Sequence, residues 1–193
     1  MLTTIPVASS GPWSIVRIEV DETGDAMPGC GLDKAPPGTY TALVHETRGI
    51  ISCDSPMLMD DQRPVVDDAV GHIVLGGLGV GVCIDMLLES GGVEHITVVE
   101  IDQHVIDLVS PSFEYGEHGD MITFANCDIL GLSASNFELK PDRVWLDIWD
   151  TDRPETLVDR LKATTDWGKS CAWVRAAALP RVYEKAARAM RGN

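Results

Sequence analysis

The stretch that decides the fold runs from residue 73 to residue 101. It opens with Ile73-Val74-Leu75, passes through Gly76-Gly77-Leu78-Gly79-Val80-Gly81 and a helical stretch over 82–90, and closes with Ile96-Thr97-Val98-Val99 and Glu100. An apolar run, a glycine turn, a helical pattern and a second apolar run predict a strand, a turn, a helix and a strand with an acid at its tip. The glycines let the backbone approach a ligand closely and start a helix whose first N–H groups have no partner inside the helix. Glu100 stands 19 residues beyond Gly81 (100 − 81). A βαβ nucleotide site places at about that distance the carboxylate that accepts the two ribose hydroxyls.

The glycine spacing narrows the ligand. A dinucleotide fingerprint reads G-x-G-x-x-G, but counting from Gly77 puts Val82 where the third glycine should fall, so pyrophosphate is disfavoured. No Gly-Lys-Ser/Thr follows the glycines, which excludes a P-loop. Instead, Gly77-x-Gly79-x-Gly81 followed by a strand ending in Glu100 resembles the class I S-adenosylmethionine (SAM) binding superfamily. Within it, Gly76-Gly77, Val99-Glu100-Ile101-Asp102 and Asp147-Ile148-Trp149-Asp150 look like the corresponding motifs of spermidine-synthase-like proteins. The likeness covers roughly residues 47–155 and extends to compact methyltransferase-like proteins with an Asp-Ile-Trp segment at the same place. It implies an α/β, Rossmann-like class I SAM-binding fold with a parallel sheet.

Composition sets the outer bounds. At 193 residues the chain suits one compact domain, and 45% hydrophobic residues argue against disorder. No apolar stretch approaches the roughly 18–20 residues that span a bilayer, and no basic segment followed by an apolar core opens the chain, so no membrane partner and a cytoplasmic location are expected. Five widely spaced cysteines (Cys30, Cys53, Cys83, Cys127, Cys171) without a C-x-x-C pair suggest neither a disulfide framework nor a zinc site, and no metal is implied. A net charge of −15 disfavours nucleic acid as partner and favours a cationic small molecule, although acidity also serves solubility alone.

Before the glycine turn, residues 1–12 carry Pro6, Ser9, Ser10, Gly11 and Pro12 and read as a loose arm. Residues 13–20 read as a strand and 21–38 as a long loop, while 39–45 and 49–52 read as two strands joined by a turn at Glu46-Thr47-Arg48. Residues 54–68 hold five aspartates against one arginine and are read as a solvated acidic connector, although the resembled family often has a ligand-contacting helix here; Pro64-Val65-Val66 is expected to start one helical turn capped by Asp61. The expected division is therefore an N-terminal antiparallel β unit with its connector over 1–68 and the SAM-binding part over 69–193, folded as one compact domain. By resemblance alone, the β unit helps form the pocket mouth and a homodimer contact.

After the turn, Asp102 is the expected cap of a helix carrying Val105, Leu108 and Val109, which Pro111 closes. Further strands are expected over 121–125, 143–146 and 170–174, and further helices over 156–162 and from Pro180 onward. A complete class I sheet has about two more strands, which are not apparent, so the sheet is expected to be C-terminally abbreviated. Its edge is then covered by the N-terminal strands or by a second subunit.

The candidate site follows from the carboxyl ends of these strands, where open α/β sheets bind ligands. Gly77, Gly79 and Gly81 admit the methionine portion of SAM and Glu100 holds the ribose. By resemblance, Asp128 meets the adenine amino group; its alternative is capping the chain from Ile129. Asp147 and Asp150 are the candidate catalytic residues, with Asp147 beside the sulfonium, where it can take a proton from the attacking group or orient it. Alternatively, both begin and cap the next helix. Ile148 and Trp149 depart from the aminopropyltransferase pattern, which has small residues there. Three functions remain: SAM-dependent methyl transfer to a small-molecule acceptor, aminopropyl transfer from decarboxylated SAM, and nucleoside binding without turnover.

Overall fold

The computed structural model describes residues 2–22, 32, 35–115, 118–148, 158–159, 161, 171 and 173–176. Among them, two sheets carry the fold. The first is antiparallel, in the order β1 (Ala8–Ser10), β2 (Trp13–Val20), β3 (Gly38–His45), β4 (Gly49–Cys53). A helix, α1 (Pro56–Val66), leads from it to the second sheet. That sheet is parallel throughout and comprises β5 (Gly71–Gly76), β6 (Val93–Glu100), β7 (Ile122–Asn126), β8 (Arg143–Leu146) and β9 (Trp173–Ala176), ordered β7-β6-β5-β8-β9. Helices α2 (Val82–Ser90), α3 (Gln103–Val109) and α4 (Pro111–Glu114) belong to its crossovers. No helix among the described residues is long and apolar enough to cross a membrane.

The strand order reverses between β5 and β8, which makes their carboxyl ends the place where a crevice opens. The apolar runs of the sequence are continuous because both faces of the sheet are covered. Ile73 and Leu75 pack into a core shared with Trp13, Ile15 and Leu43 of the antiparallel sheet, whereas Val74 turns to the opposite face with Val99, Val144 and Leu146. Ile73 and Val74 are both fully buried, each contributing about 1.5–3 kcal/mol.

Two expectations fail at the N-terminal side. The first residues are not a loose arm. Ile5 is buried in the main core, Thr3 donates from N and Oγ1 to the two oxygens of Asp85 over 2.7 and 2.6 Å, and 8–10 pair with β2. Pro and Gly break the local pattern, but one buried isoleucine, the two Thr3 bonds and the pairing with β2 hold the segment down. Residues 54–68 are likewise not a solvated connector, since 56–66 form α1. Its cap is Ser55, whose Oγ accepts from Leu58 N, and not Asp61. Leu58, Gln62 and Val65 give it a buried stripe, and the acids occupy the other faces.

The face of β8 toward α1 is bonded to that helix at every alternate residue. Arg143 donates from Nη1 to the carbonyls of Val65 and Asp67, and from Nη2 to that of Asp68, closing the helix C-terminus. Trp145 and Asp147 both bond Gln62. α1 thus lies as a rail along the strand that ends in Asp147.

The expected strand over 170–174 lies at 173–176 instead, in register with β8 from Arg143↔Trp173 to Leu146↔Ala176. Expected helices over 156–162 and from Pro180 fall largely or wholly outside the described residues, as does Cys30. The other four cysteines are thiols; Cys53 and Cys171 are buried.

Candidate functional site

The glycine turn shows why side chains are missing. Gly77 has φ 98°, and a Cβ there would run into the Asp147 carbonyl, so the ends of β5 and β8 can meet only around a bare Cα. At Gly79, with φ 55°, a Cβ would sit 2.6 Å from Ser52 Oγ of β4. Gly81 caps α2, and its open side faces Phe113 of α4 and not the crevice. Thus Gly77 and Gly79 border the site, and Gly81 packs behind it.

Glu100 ends β6 with both oxygens engaged. Oε2 accepts from Leu78 N over 3.0 Å, and Oε1 accepts from Asp102 N over 2.9 Å. Burial pushes its carboxyl above the ordinary value, against those hydrogen bonds. The Ile101 backbone N–H adds to them, and the four lone-pair sites of a carboxylate leave acceptor capacity for a hydroxyl donor. Asp102 caps α3 through Oδ1 to His104 N, while its Oδ2 accepts from Trp13 Nε1 over 2.7 Å. The antiparallel sheet is thereby tied to the segment that follows Glu100.

A cavity of about 330 Å³ opens over the carboxyl ends of the parallel strands. Gly77, Gly79, Glu100, Asp128 and Asp147 all border it, while Trp13, Leu43, Arg48 and Ile51 form its wall from the antiparallel sheet. Asp128 borders the cavity, and its Oδ1 accepts from Leu130 N over 2.9 Å at the cap of a short 3-10 turn, which is the capping alternative foreseen for it. Asp150 and Trp149 lie outside the described residues.

A smaller cavity, about 40 Å³, adjoins the first and shares Ser52, Gly77, Leu78, Gly79 and Asp147 with it. Asp61, Gln62, Cys83 and Trp145 complete its polar lining. Asp147 therefore stands where the two spaces meet. Burial pushes its carboxyl up, the Gln62 amide opposes that shift, and the nearby Asp61 charge adds to it. Burial and the Asp147 charge also push the Cys83 thiol well up, which keeps it neutral and unreactive.

Four contributors had no local signal in the sequence. Gln62 lies 85 residues from Asp147 and in a segment read as solvated. Asp61 was assigned to a cap. Trp13 and Arg48 belong to strand and turn patterns, yet Arg48 lies 4.9 Å over the Trp13 ring at the cavity wall. Trp145 was legible in part, because an i, i+2 pair on a strand shares one face with Asp147.

No family model and no curated protein matches this chain. Solved structures similar to it include methyltransferases. TrmK from M. capricolum, in complex with the natural cofactor product S-adenosyl-homocysteine, shares 16% identity and a TM-score of 0.42 over 54% of this chain and 45% of that one. A dimethyladenosine transferase from Plasmodium falciparum shares 17% and 0.43 over 56% and 37%. The mitomycin 7-O-methyltransferase MmcR shares 13% and 0.43 over 61% and 34%. The match spans less than half the length of each of these three chains.

Proposed function

We propose that this chain binds SAM and transfers its methyl group to a small-molecule acceptor. The observation that carries the reading is that Glu100 and Asp147 border one cavity at the carboxyl ends of adjacent halves of the parallel sheet. Its volume of about 330 Å³ suits a nucleoside-sized ligand, since small-molecule sites run from about 300 to 1,000 Å³. The donor set fits SAM as well. Glu100 receives the ribose hydroxyls, Asp128 the adenine amino group, and the bare backbone at Gly77 and Gly79 the methionine portion. Both Glu100 and Asp147 are carboxylates that burial has made costly to charge, and a cation beside them offsets that cost.

When bound, SAM supplies an electrophilic methyl carbon next to a sulfonium. Asp147 orients the attacking group and holds its proton, and the wall formed by Trp13, Leu43 and Ile51 keeps water away. The acceptor is a small molecule and not nucleic acid, because a net charge of −15 repels a phosphate backbone.

A second reading is spermidine-synthase-like aminopropyl transfer from decarboxylated SAM. Asp61 and Asp147 facing one small cavity favour a cationic amine there, whereas Ile148 in the cavity wall narrows the space. Calorimetry with SAM, S-adenosylhomocysteine, decarboxylated SAM, methylthioadenosine and NAD tests the binding. Incubation with mixed amines then separates the chemistries: S-adenosylhomocysteine reports methyl transfer, and methylthioadenosine reports aminopropyl transfer. If no adenosyl ligand binds, the reading is wrong.

A further inference from the structure

Three side chains, one on α1, one on β8 and one just past the end of β8, form one hydrogen-bonded line. Trp145 Nε1 donates to Gln62 Oε1 over 2.8 Å, and Gln62 Nε2 donates to Asp147 Oδ2 over 2.8 Å. Gln62 is 6% exposed and Trp145 2%, so neither can exchange these bonds for water. An indole N–H only donates, and a carboxylate only accepts. The Gln62 amide therefore has one sense that satisfies both neighbours: oxygen toward Trp145, nitrogen toward Asp147. Reversing it would set N–H against N–H at one end and oxygen against oxygen at the other.

This order has a consequence at Asp147. Oδ2 is held as an acceptor, so a proton on the carboxyl belongs on Oδ1. Among the described residues Oδ1 has no hydrogen-bond partner, and no unpartnered side-chain atom is sealed from solvent. Oδ1 is thus the oxygen left for the cavities that Asp147 borders. We propose that Gln62 is a positioning residue: locked by Trp145, its amide occupies Oδ2 of Asp147 and presents Oδ1 as the single oxygen that takes a proton or a ligand donor. The proposal rests on the reading of Asp147 as the group facing the reacting centre.

The charged and titratable groups around Asp147 act in known directions. Asp61 on α1 and Cys83 on α2 share the smaller cavity with it, and Arg48, Glu100, Asp102, Cys127 and Asp128 share the larger. Asp61 and burial favour the protonated form, and Gln62 opposes them. Removing the amide donor takes away the hydrogen bond that opposes protonation.

The test is a carbon-detected NMR titration of the Asp147 carboxyl in ligand-free protein, its signal assigned by its loss in Asp147→Asn. Gln62→Met removes the donor and should raise the titration midpoint. Gln62→Glu, which keeps the acceptor for Trp145 but sets a second carboxyl against Asp147, should raise it further. Trp145→Phe unlocks the amide without removing it and should raise the midpoint least. SAM binding measured against pH is the second readout: at pH values below the midpoints, each unit of upward shift should weaken SAM about tenfold. A residue that merely filled space would not produce this order. Coinciding midpoints in wild type, Gln62→Met and Trp145→Phe would overturn the proposal. Failure of wild type to bind SAM would instead overturn the proposed function, and the titration order would still decide the role of Gln62.

Discussion

Trp13 Nε1 and Asp102 Oδ2 are 2.7 Å apart, and this bond joins the antiparallel sheet to the segment that follows β6. The linkage does not stop at Asp102. Its backbone N–H donates to Glu100 Oε1, and the other Glu100 oxygen takes the Leu78 N–H of the glycine turn. A continuous path therefore runs from a tryptophan on β2 to the turn after β5. The ring of Trp13 is fixed from two further sides, by the His45 ring in an edge contact at 4.7 Å and by Arg48 over its face at 4.9 Å.

Replacing Trp13 by Phe keeps an aromatic ring in the wall but removes the donor to Asp102. The expected cost is about 1.5–3 kcal/mol of stability, the range for a hydrogen bond to a charged group, read by chemical denaturation. SAM affinity should fall as well, because the loop that orients Glu100 loses its outer support. Unchanged affinity with lowered stability would mean that the sheet serves the fold alone.

Glu100→Gln tests the ribose contact with little change in shape. The amide cannot accept from both the backbone N–H groups and the ribose with all four lone-pair sites of a carboxylate. SAM and S-adenosylhomocysteine should both weaken by about 1.5–3 kcal/mol, or roughly 10- to 150-fold in Kd by calorimetry. Equal losses for the two ligands locate the effect at the nucleoside and not at the sulfonium.

The fold around the glycine turn was legible because its signals are local. Period, turn residues and a strand-end acid placed α2 over 82–90 and β8 over 143–146 with the bounds observed. What the sequence hid depends on long-range partners. Nothing near Gln62 announces a bond to a carboxylate 85 residues away, and five aspartates in 54–68 masked the apolar stripe of Leu58 and Val65. The first residues failed for a related reason: Pro6 and Gly11 are strong local punctuation, whereas the burial of Ile5 is a tertiary event. Glu100 and Asp147 were recognisable since strand ends converge by topology, and topology follows from the alternation of strand and helix.

Gly77→Ala and Gly79→Ala separate two causes of glycine in the turn. Both sites have positive φ, which costs a side chain about 1–2 kcal/mol. At Gly79 the added carbon meets Ser52 Oγ, a side chain that can rotate. At Gly77 it meets the backbone carbonyl of Asp147, which cannot move without shifting the end of β8. Gly77→Ala should therefore lose more stability than Gly79→Ala, and Ser52→Gly should recover part of the loss for Gly79→Ala only. Equal losses in thermal denaturation would show that backbone strain alone accounts for both.

Asp147→Asn should stabilise the ligand-free protein at neutral pH. Burial lifts the folded carboxyl above its ordinary value of 3.8, so the folded state holds a proton over a range where the unfolded chain has released it. Stability then falls as pH rises from about 3.8 through the raised folded midpoint, and the full penalty is present above that midpoint. Asparagine carries no such penalty and its oxygen still accepts from Gln62. The variant should melt above wild type at pH 7, and the difference should shrink as the pH approaches 4. His72 adds a trend of the opposite sign: it is buried beside Thr97 with its pKa lowered by burial, so its contribution is present above about 6.5 and lost as pH falls. Because His72 is common to both proteins, its effect cancels in the difference, and a melting difference that does not depend on pH would reject the assignment to Asp147. SAM should reverse the ranking by stabilising wild type more than Asp147→Asn, since only the carboxylate offers the sulfonium a charge. A buried carboxylate at the cavity that lowers the stability of the ligand-free protein, with its charge offset by a cationic ligand, is the behaviour this geometry predicts.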